Sequence, residues 1–140
     1  MKKNLVGLCS RISKNANKMI VAELEKQGVK NIVPSHGTVL YLLYQRDEVT
    51  MKEIADYAHK TKPTVTVLVN KLEKLGYVFR EKSSVDNRIC YIRLTGEGHK
   101  LKPVFERVSK SLNERVYKNL DTKECEIVEN VLEKILKNLG

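Results

Sequence analysis

The sequence predicts a mainly α-helical fold, about six helices with one β-hairpin, and three observations predict it. Apolar residues recur at three- and four-residue steps along most of the chain, the spacing of helices with one buried face. Helix starts are marked by Thr50-x-x-Glu53, by Thr61-Lys62-Pro63 and by Asp121-x-x-Glu124, which are capping patterns. Only one stretch changes period. It closes with Cys90, Ile92 and Leu94 on one side and Ile89, Tyr91 and Arg93 on the other, the alternation of a strand.

The elements follow in order. Leu5, Leu8, Cys9, Ile12, Ala16, Met19, Ile20 and Leu24 make one face of a long first helix, which Gly28 stops. Pro34-Ser35 opens a second helix with Val39, Leu40 and Leu43 inward. Thr50 starts a third, with Ile54, Ala55 and Ala58. Thr61 or Lys62 caps a fourth, from Lys62 to Leu75, with Val65, Leu68, Leu72 and Leu75 inward and Gly76 at its end. A hairpin spans Val78 to Leu94, and Cys90 is expected in the core. Thr95 caps a fifth helix carrying Leu101, Val104, Phe105, Val108, Leu112 and Val116. Asp121 opens a sixth with Ile127, Val128, Val131, Leu132, Ile135, Leu136 and Leu139.

With 140 residues, 31% charged and 41% hydrophobic, this is one domain's worth of soluble chain. The net charge of +9 favours polyanions. It is uneven: residues 1–30 carry seven Lys/Arg against two Asp/Glu, residues 50–95 nine against five, and residues 96–140 nine against eight. Cys9, Cys90 and Cys125 form no CxxC pair, and His36, His59 and His99 are isolated. No metal site, cofactor or disulfide framework is therefore expected. The apolar run Leu5–Cys9 is too short for a signal peptide, and no membrane-spanning run follows, so the expected compartment is the cytoplasm. There is no nucleophile–base pair and no glycine-rich phosphate loop, so no enzyme is expected.

The third and fourth helices have the spacing of a helix-turn-helix, whose second helix enters the major groove. Its outward face holds Pro63, Thr64, Thr66, Val67, Asn70, Lys71 and Lys74. Thr64 and Thr66 suit bases or phosphates, and Pro63 and Val67 a thymine methyl. Asn70 suits adenine, and Lys62 and Lys71 suit phosphate. The basic hairpin can reach the adjoining minor groove, where arginine is favoured. Lys82, Ser83 and Ser84 are expected at its tip, with Asp86 holding Arg88 by charge-assisted bonds. The partner expected is double-stranded DNA. The first and last helices have more apolar face than a compact centre can cover, so a homodimer is expected. Its interface would use Leu5, Leu8, Ile12, Leu112, Val128, Val131, Leu132, Ile135 and Leu139.

The pattern Asp86-x-Arg88, five intervening residues, Leu94-Thr95, two more and Gly98 resembles that of the multiple antibiotic resistance regulator (MarR) family. Thr61–Thr66 and Lys71–Val78 are similar to that family's recognition helix and its exit, and Val67 departs from the pattern. The resemblance implies a winged helix-turn-helix at 34–95, with dimerisation helices at 1–33 and 96–140. It implies a dimeric transcriptional regulator, more often a repressor, that binds a pseudo-palindromic operator and is released by a small ligand or by oxidation. Arg88 takes the minor-groove position and Asp86 its supporting carboxylate.

The family's ligands are often aromatic acids and phenols, so a small aromatic or anionic effector is implied. Ile12, Met19, His36, Val39, Tyr44 and Tyr57 are the candidate lining residues. Cys9 falls near the reactive cysteine of the family's hydroperoxide sensors, but Ser13 and Glu23 stand about where those sensors have tyrosines. Two other readings stay open: a thiol-based redox sensor through Cys9, and a non-specific architectural DNA-binding protein.

Overall fold

A computed structural model describes all residues from Met1 to Gly140. Helix α1 spans Leu5–Lys26 and α2 spans Pro34–Gln45; a short strand β1, Val49–Thr50, leads into α3, Met51–Ala58, and α4, Lys62–Lys74. Strands β2, Val78–Lys82, and β3, Cys90–Leu94, form the hairpin. Helices α5, Gly96–Lys100, α6, Lys102–Val116, and α7, Thr122–Leu139, complete the chain. The three strands form one antiparallel sheet in the order β1-β3-β2. The architecture is a winged helix-turn-helix flanked by long terminal helices.

The helix boundaries follow from capping chemistry. At α3, the Thr50 hydroxyl accepts from Glu53 N–H, and the Glu53 carboxylate accepts from Thr50 N–H. Asp121 and Glu124 exchange the same pair of bonds at α7. Each box satisfies donors that the first turn would leave unpaired. At the other ends, α1 and α4 close alike. Val29 N–H bonds Leu24 carbonyl and Gly28 N–H bonds Glu25 carbonyl; Tyr77 and Gly76 do the same to Leu72 and Glu73. Both glycines have φ near +83 to +84°, a left-handed conformation that other residues adopt only at a steric cost. In α2, buried His36 accepts Val33 N–H at Nδ1. Burial, and then the charge of Lys71, hold its pKa below the usual histidine value.

Three features differ from the sequence expectation. The expected fifth helix is broken at Leu101 into α5 and α6. Pro103 stands in the first turn of α6; it has no N–H for the turn before it, and its ring clashes there. Strand β1 was not expected, because two residues carry no periodicity; Val49 opposite Ile92 and Thr50 opposite Tyr91 define it only through pairing. Cys90 is half-buried and outside the core, since it pairs with exposed Lys82 at the outer end of the hairpin.

The core is built from α1 through α6 and the inner face of the sheet. Leu24, Leu40, Ile54, Leu72 and Ile92 are among its fully enclosed side chains. Val69 joins them on α4, beside the expected Val65, Leu68 and Leu72. Each such side chain contributes about 1.5–3 kcal/mol relative to exposure. Helix α7 contributes no buried residue. No helix is long and apolar enough to cross a membrane.

One junction fixes how the wing leaves the core. Thr95 N–H donates to Tyr77 carbonyl, and its hydroxyl to Gly76 carbonyl at 2.6 Å. The same hydroxyl accepts Gly98 N–H and so caps α5. A Cβ on Gly98 would lie 2.1 Å from the Tyr77 carbonyl oxygen, far inside contact distance. Gly98→Ala is therefore expected to destabilise the protein by on the order of 3 kcal/mol, seen as a lower midpoint in urea denaturation. An unchanged midpoint would mean that this approach is not a packing constraint.

Candidate nucleic-acid interface

The exposed side of α4 is set by its buried side. With Val65, Leu68, Val69 and Leu72 inward, Lys62, Pro63, Thr64, Thr66, Val67, Asn70, Lys71 and Lys74 are all exposed. The Thr61 hydroxyl caps the helix by accepting Thr64 N–H and lies 3.0 Å from the Thr64 hydroxyl. Thr66 donates its hydroxyl proton to Lys62 carbonyl at 2.9 Å, so its outward oxygen is left as an acceptor. Val67 is 67% exposed, an apolar spot in the middle of a polar stripe.

The wing tip is ordered by its own side chains. Ser83 Oγ accepts the N–H groups of Val85 and Asp86. Ser83 thus shapes the loop and keeps its hydroxyl proton to donate; Lys82 and Ser84 beside it are exposed. A turn follows, closed by Ile89 N–H donating to Asp86 carbonyl. Asp86 Oδ1 also accepts Arg88 N–H at 3.0 Å, the local bond that suits aspartate to turns. The Arg88 guanidinium donates Nε to Oδ1 at 3.1 Å and Nη2 to Oδ2 at 3.2 Å. Arg88 side-chain and then backbone hydrogen bonds hold the Asp86 carboxyl below its ordinary pKa. The arginine is 91% exposed despite this fork, so it is oriented without being withdrawn from solvent. Val85 beside it is 95% exposed.

Arg80 is a site residue that the sequence motifs do not reveal. It lies on β2, two residues from buried Val78 and therefore on the same face of the strand. There its guanidinium donates to Asn70 Oδ1 and lies 3.7 Å from the Glu73 carboxylate. Asn70 is thus engaged across elements, where the sequence left it free to read adenine. Only the register of β2 against α4 shows this; no local motif carries it.

A second feature lies among α1, α2, α3 and α6. A cleft of ≈ 650 Å³ is lined by Asn17 and Ile20 of α1, by Pro34, Gly37, Thr38, Tyr41, Tyr44 and Gln45 of α2, by Tyr57, and by Lys102, Phe105, Glu106, Val108, Ser109 and Leu112 of α6. Tyr44 donates its hydroxyl to Gly98 carbonyl at 3.0 Å, and burial raises its pKa well above the phenol range. Of the six candidate lining residues, Tyr44 and Tyr57 are at this cleft. The other four are not. Val39 and His36 are packed in the core, Met19 is half-buried on α1, and Ile12 is exposed. Helical periodicity alone could not say which side of a buried helix meets the cleft.

A recognition helix with a polar exposed stripe, followed by a two-stranded wing presenting an arginine, defines a winged helix-turn-helix protein. Comparison with known proteins narrows the class. The model of the MarR family matches residues 31–89, the helix-turn-helix and most of the wing. It is 33% identical over 85 residues to the HTH-type transcriptional regulator FarR of Neisseria gonorrhoeae, covering 61% of this chain and 56% of that protein. The match therefore spans little more than half the length of that relative. Among solved structures, a MarR transcriptional regulator from Methanosarcina mazei Go1 is 26% identical, with a TM-score of 0.80 over 99% of this chain and 91% of that one. A mutant of the S. aureus protein MepR, bound to an oligodeoxyribonucleotide, is 28% identical with a TM-score of 0.59, over 97% and 98% of the two chains.

The fork between Asp86 and Arg88 predicts a measurable titration. In Arg88→Ala the Asp86 carboxyl should titrate at higher pH, closer to the ordinary aspartate value, because the guanidinium bonds, the larger cause of the lowering, are lost while the backbone N–H of residue 88 remains. Carboxyl NMR chemical shifts followed against pH would check this. An unmoved Asp86 titration would mean that the fork is not populated in solution.

Proposed function

We propose that this protein is a sequence-specific DNA-binding transcriptional regulator, acting as a homodimer on a pseudo-palindromic operator, most simply as a repressor. The observation that carries the reading is the pairing of one exposed helix face with one fixed, exposed wing arginine. The polar stripe of α4 fits a major groove. Arg88, held by Asp86 yet 91% exposed, fits the negative potential of a narrow minor groove alongside. Lys62, Lys71, Lys82 and Ser84 lie around these two elements as phosphate contacts. The likeness to FarR and to the DNA-bound MepR mutant supports the same reading.

Residues 34–95 form the DNA-binding unit in this proposal, and 1–33 with 96–140 the dimerisation helices. What supports pairing is the apolar surface left on the single chain. Leu5, Leu8 and Ile12 on α1, and Val128, Val131 and Leu139 on α7, are all exposed; Leu112, Leu132 and Ile135 are half-buried. Surface of that composition gains by burial against a second copy. The cleft, with three tyrosines, a phenylalanine and Lys102, suits a small aromatic or anionic effector placed between the two units.

Two substitutions test the proposal. Arg88→Ala should weaken operator binding roughly tenfold or more while leaving the oligomeric state unchanged, as read by gel-shift titration and sedimentation. Equal affinity would remove the wing from DNA recognition. Val131→Asp should place a charge in the pairing surface and yield monomers with much weaker DNA binding. A Val131→Asp protein that still sediments as a dimer would rule out α7 as the interface.

A further inference from the structure

The contact between Arg80 and Asn70 bears on which base the helix can read. An arginine side chain carries donors only, so the Asn70 atom that meets it must be the amide oxygen, as the structure has it. Asparagine recognises adenine with both ends of its amide: the oxygen accepts from the base amino group while the nitrogen donates to N7. Arg80 takes one of the two lone pairs of that oxygen and sets a cation beside the other, where the adenine amino group would have to donate, so the half of the pair that Asn70 keeps unopposed is its donor. Beside it stand the remaining N–H groups of Arg80. The combined edge is therefore made of donors, and guanine is the base that offers two acceptors, N7 and O6, in the major groove.

We propose that Arg80 is a specificity-determining residue: it withdraws Asn70 from adenine recognition and forms with it a donor pair that selects guanine. This rests on the DNA-binding reading above. Two acceptors on α4 keep the guanidinium in place, Asn70 Oδ1 and the Glu73 carboxylate at 3.7 Å. In the free protein all three side chains are exposed, and such a pair adds little stability. Against DNA the balance changes. Water is displaced, a charge-assisted bond strengthens, and Glu73 without Arg80 would be a bare carboxylate on a helix that faces phosphates. Both effects hold Arg80 where it is.

Selection of bound duplexes from a random pool tests the proposal, run on the wild-type protein, Asn70→Ala, Arg80→Met and Arg80→Lys. Asn70→Ala locates the base pair concerned, as the position whose preference it alters. The expected result there is guanine for the wild type and a shift toward adenine of roughly tenfold for Arg80→Met. Arg80→Lys keeps a charge and a donor for the amide oxygen, so it should not gain the adenine preference. Arg80→Val, compatible with a strand and lacking donors, gives the same reading should Arg80→Met fold poorly by circular dichroism.

Three results would overturn the proposal. The first is a wild type that already selects adenine at that pair. The second is a pool in which no pair responds to Asn70→Ala. The third is an Arg80→Met protein that binds all sequences equally weakly, with a shallower salt dependence and unchanged base preference, which is the behaviour of a phosphate contact. A wild-type protein that enriches no sequence at all would instead remove the sequence-specific reading, and this proposal with it.

Discussion

The structure depends on one close backbone approach, that of Gly98 to the Tyr77 carbonyl. Tyr77 follows the left-handed residue that ends the recognition helix, and Gly98 lies in the first turn after the wing. Between them, Thr95 bonds two consecutive carbonyls, Gly76 and Tyr77, while capping α5. Tyr44 of α2 reaches the same point from the other side, donating to Gly98 carbonyl. Four elements therefore meet where a side chain at residue 98 would have no room. The angle between recognition helix and wing is set here, and so is the start of the helices that continue toward α7.

From this junction outward the structure uses arginine in two opposite ways. Arg88 is gripped by a carboxylate of its own turn, which orients the guanidinium and leaves most of it in solvent. Arg80 is gripped by the neighbouring helix, through Asn70 and Glu73. The first arrangement extends positive charge beyond the body of the protein. The second ties wing to helix and engages the amide oxygen of Asn70. Both rest on exposed groups, so neither contributes much to folding; in the proposed regulator their effect would fall on what the surface recognises.

The two ends of the molecule also differ energetically. Helices α2 to α4 and the sheet supply most of the core within one chain, and α7 buries none. Its capping box makes the helix start locally well defined, yet the single chain leaves most of its apolar side exposed, with Leu132 and Ile135 only half-buried. A local signal can specify that a helix forms without specifying what it packs against. For the proposed regulator this is functionally apt, because the surface that would set the distance between two DNA-binding units borders α6, which also lines the cleft.

The helices are legible in the chain of letters, because caps, glycine stops and three-to-four periodicity are local properties. Thr50, Thr61, Asp121, Gly28 and Gly76 act within a few residues of themselves. The wing is legible for the same reason: Asp86 and Arg88 are two residues apart, and their bond needs no other element. Long-range packing supplied what these signals leave open. It split the expected fifth helix at Leu101 and enclosed Val69. It also paired β1 with β3, and placed the cleft away from Ile12, Met19, His36 and Val39, toward Tyr41 and Phe105. Above all it brought Arg80 to Asn70, ten residues apart across a helix end and a strand. The physical reason is that such contacts depend on register and crossing geometry, which many sequences with the same local pattern would set differently.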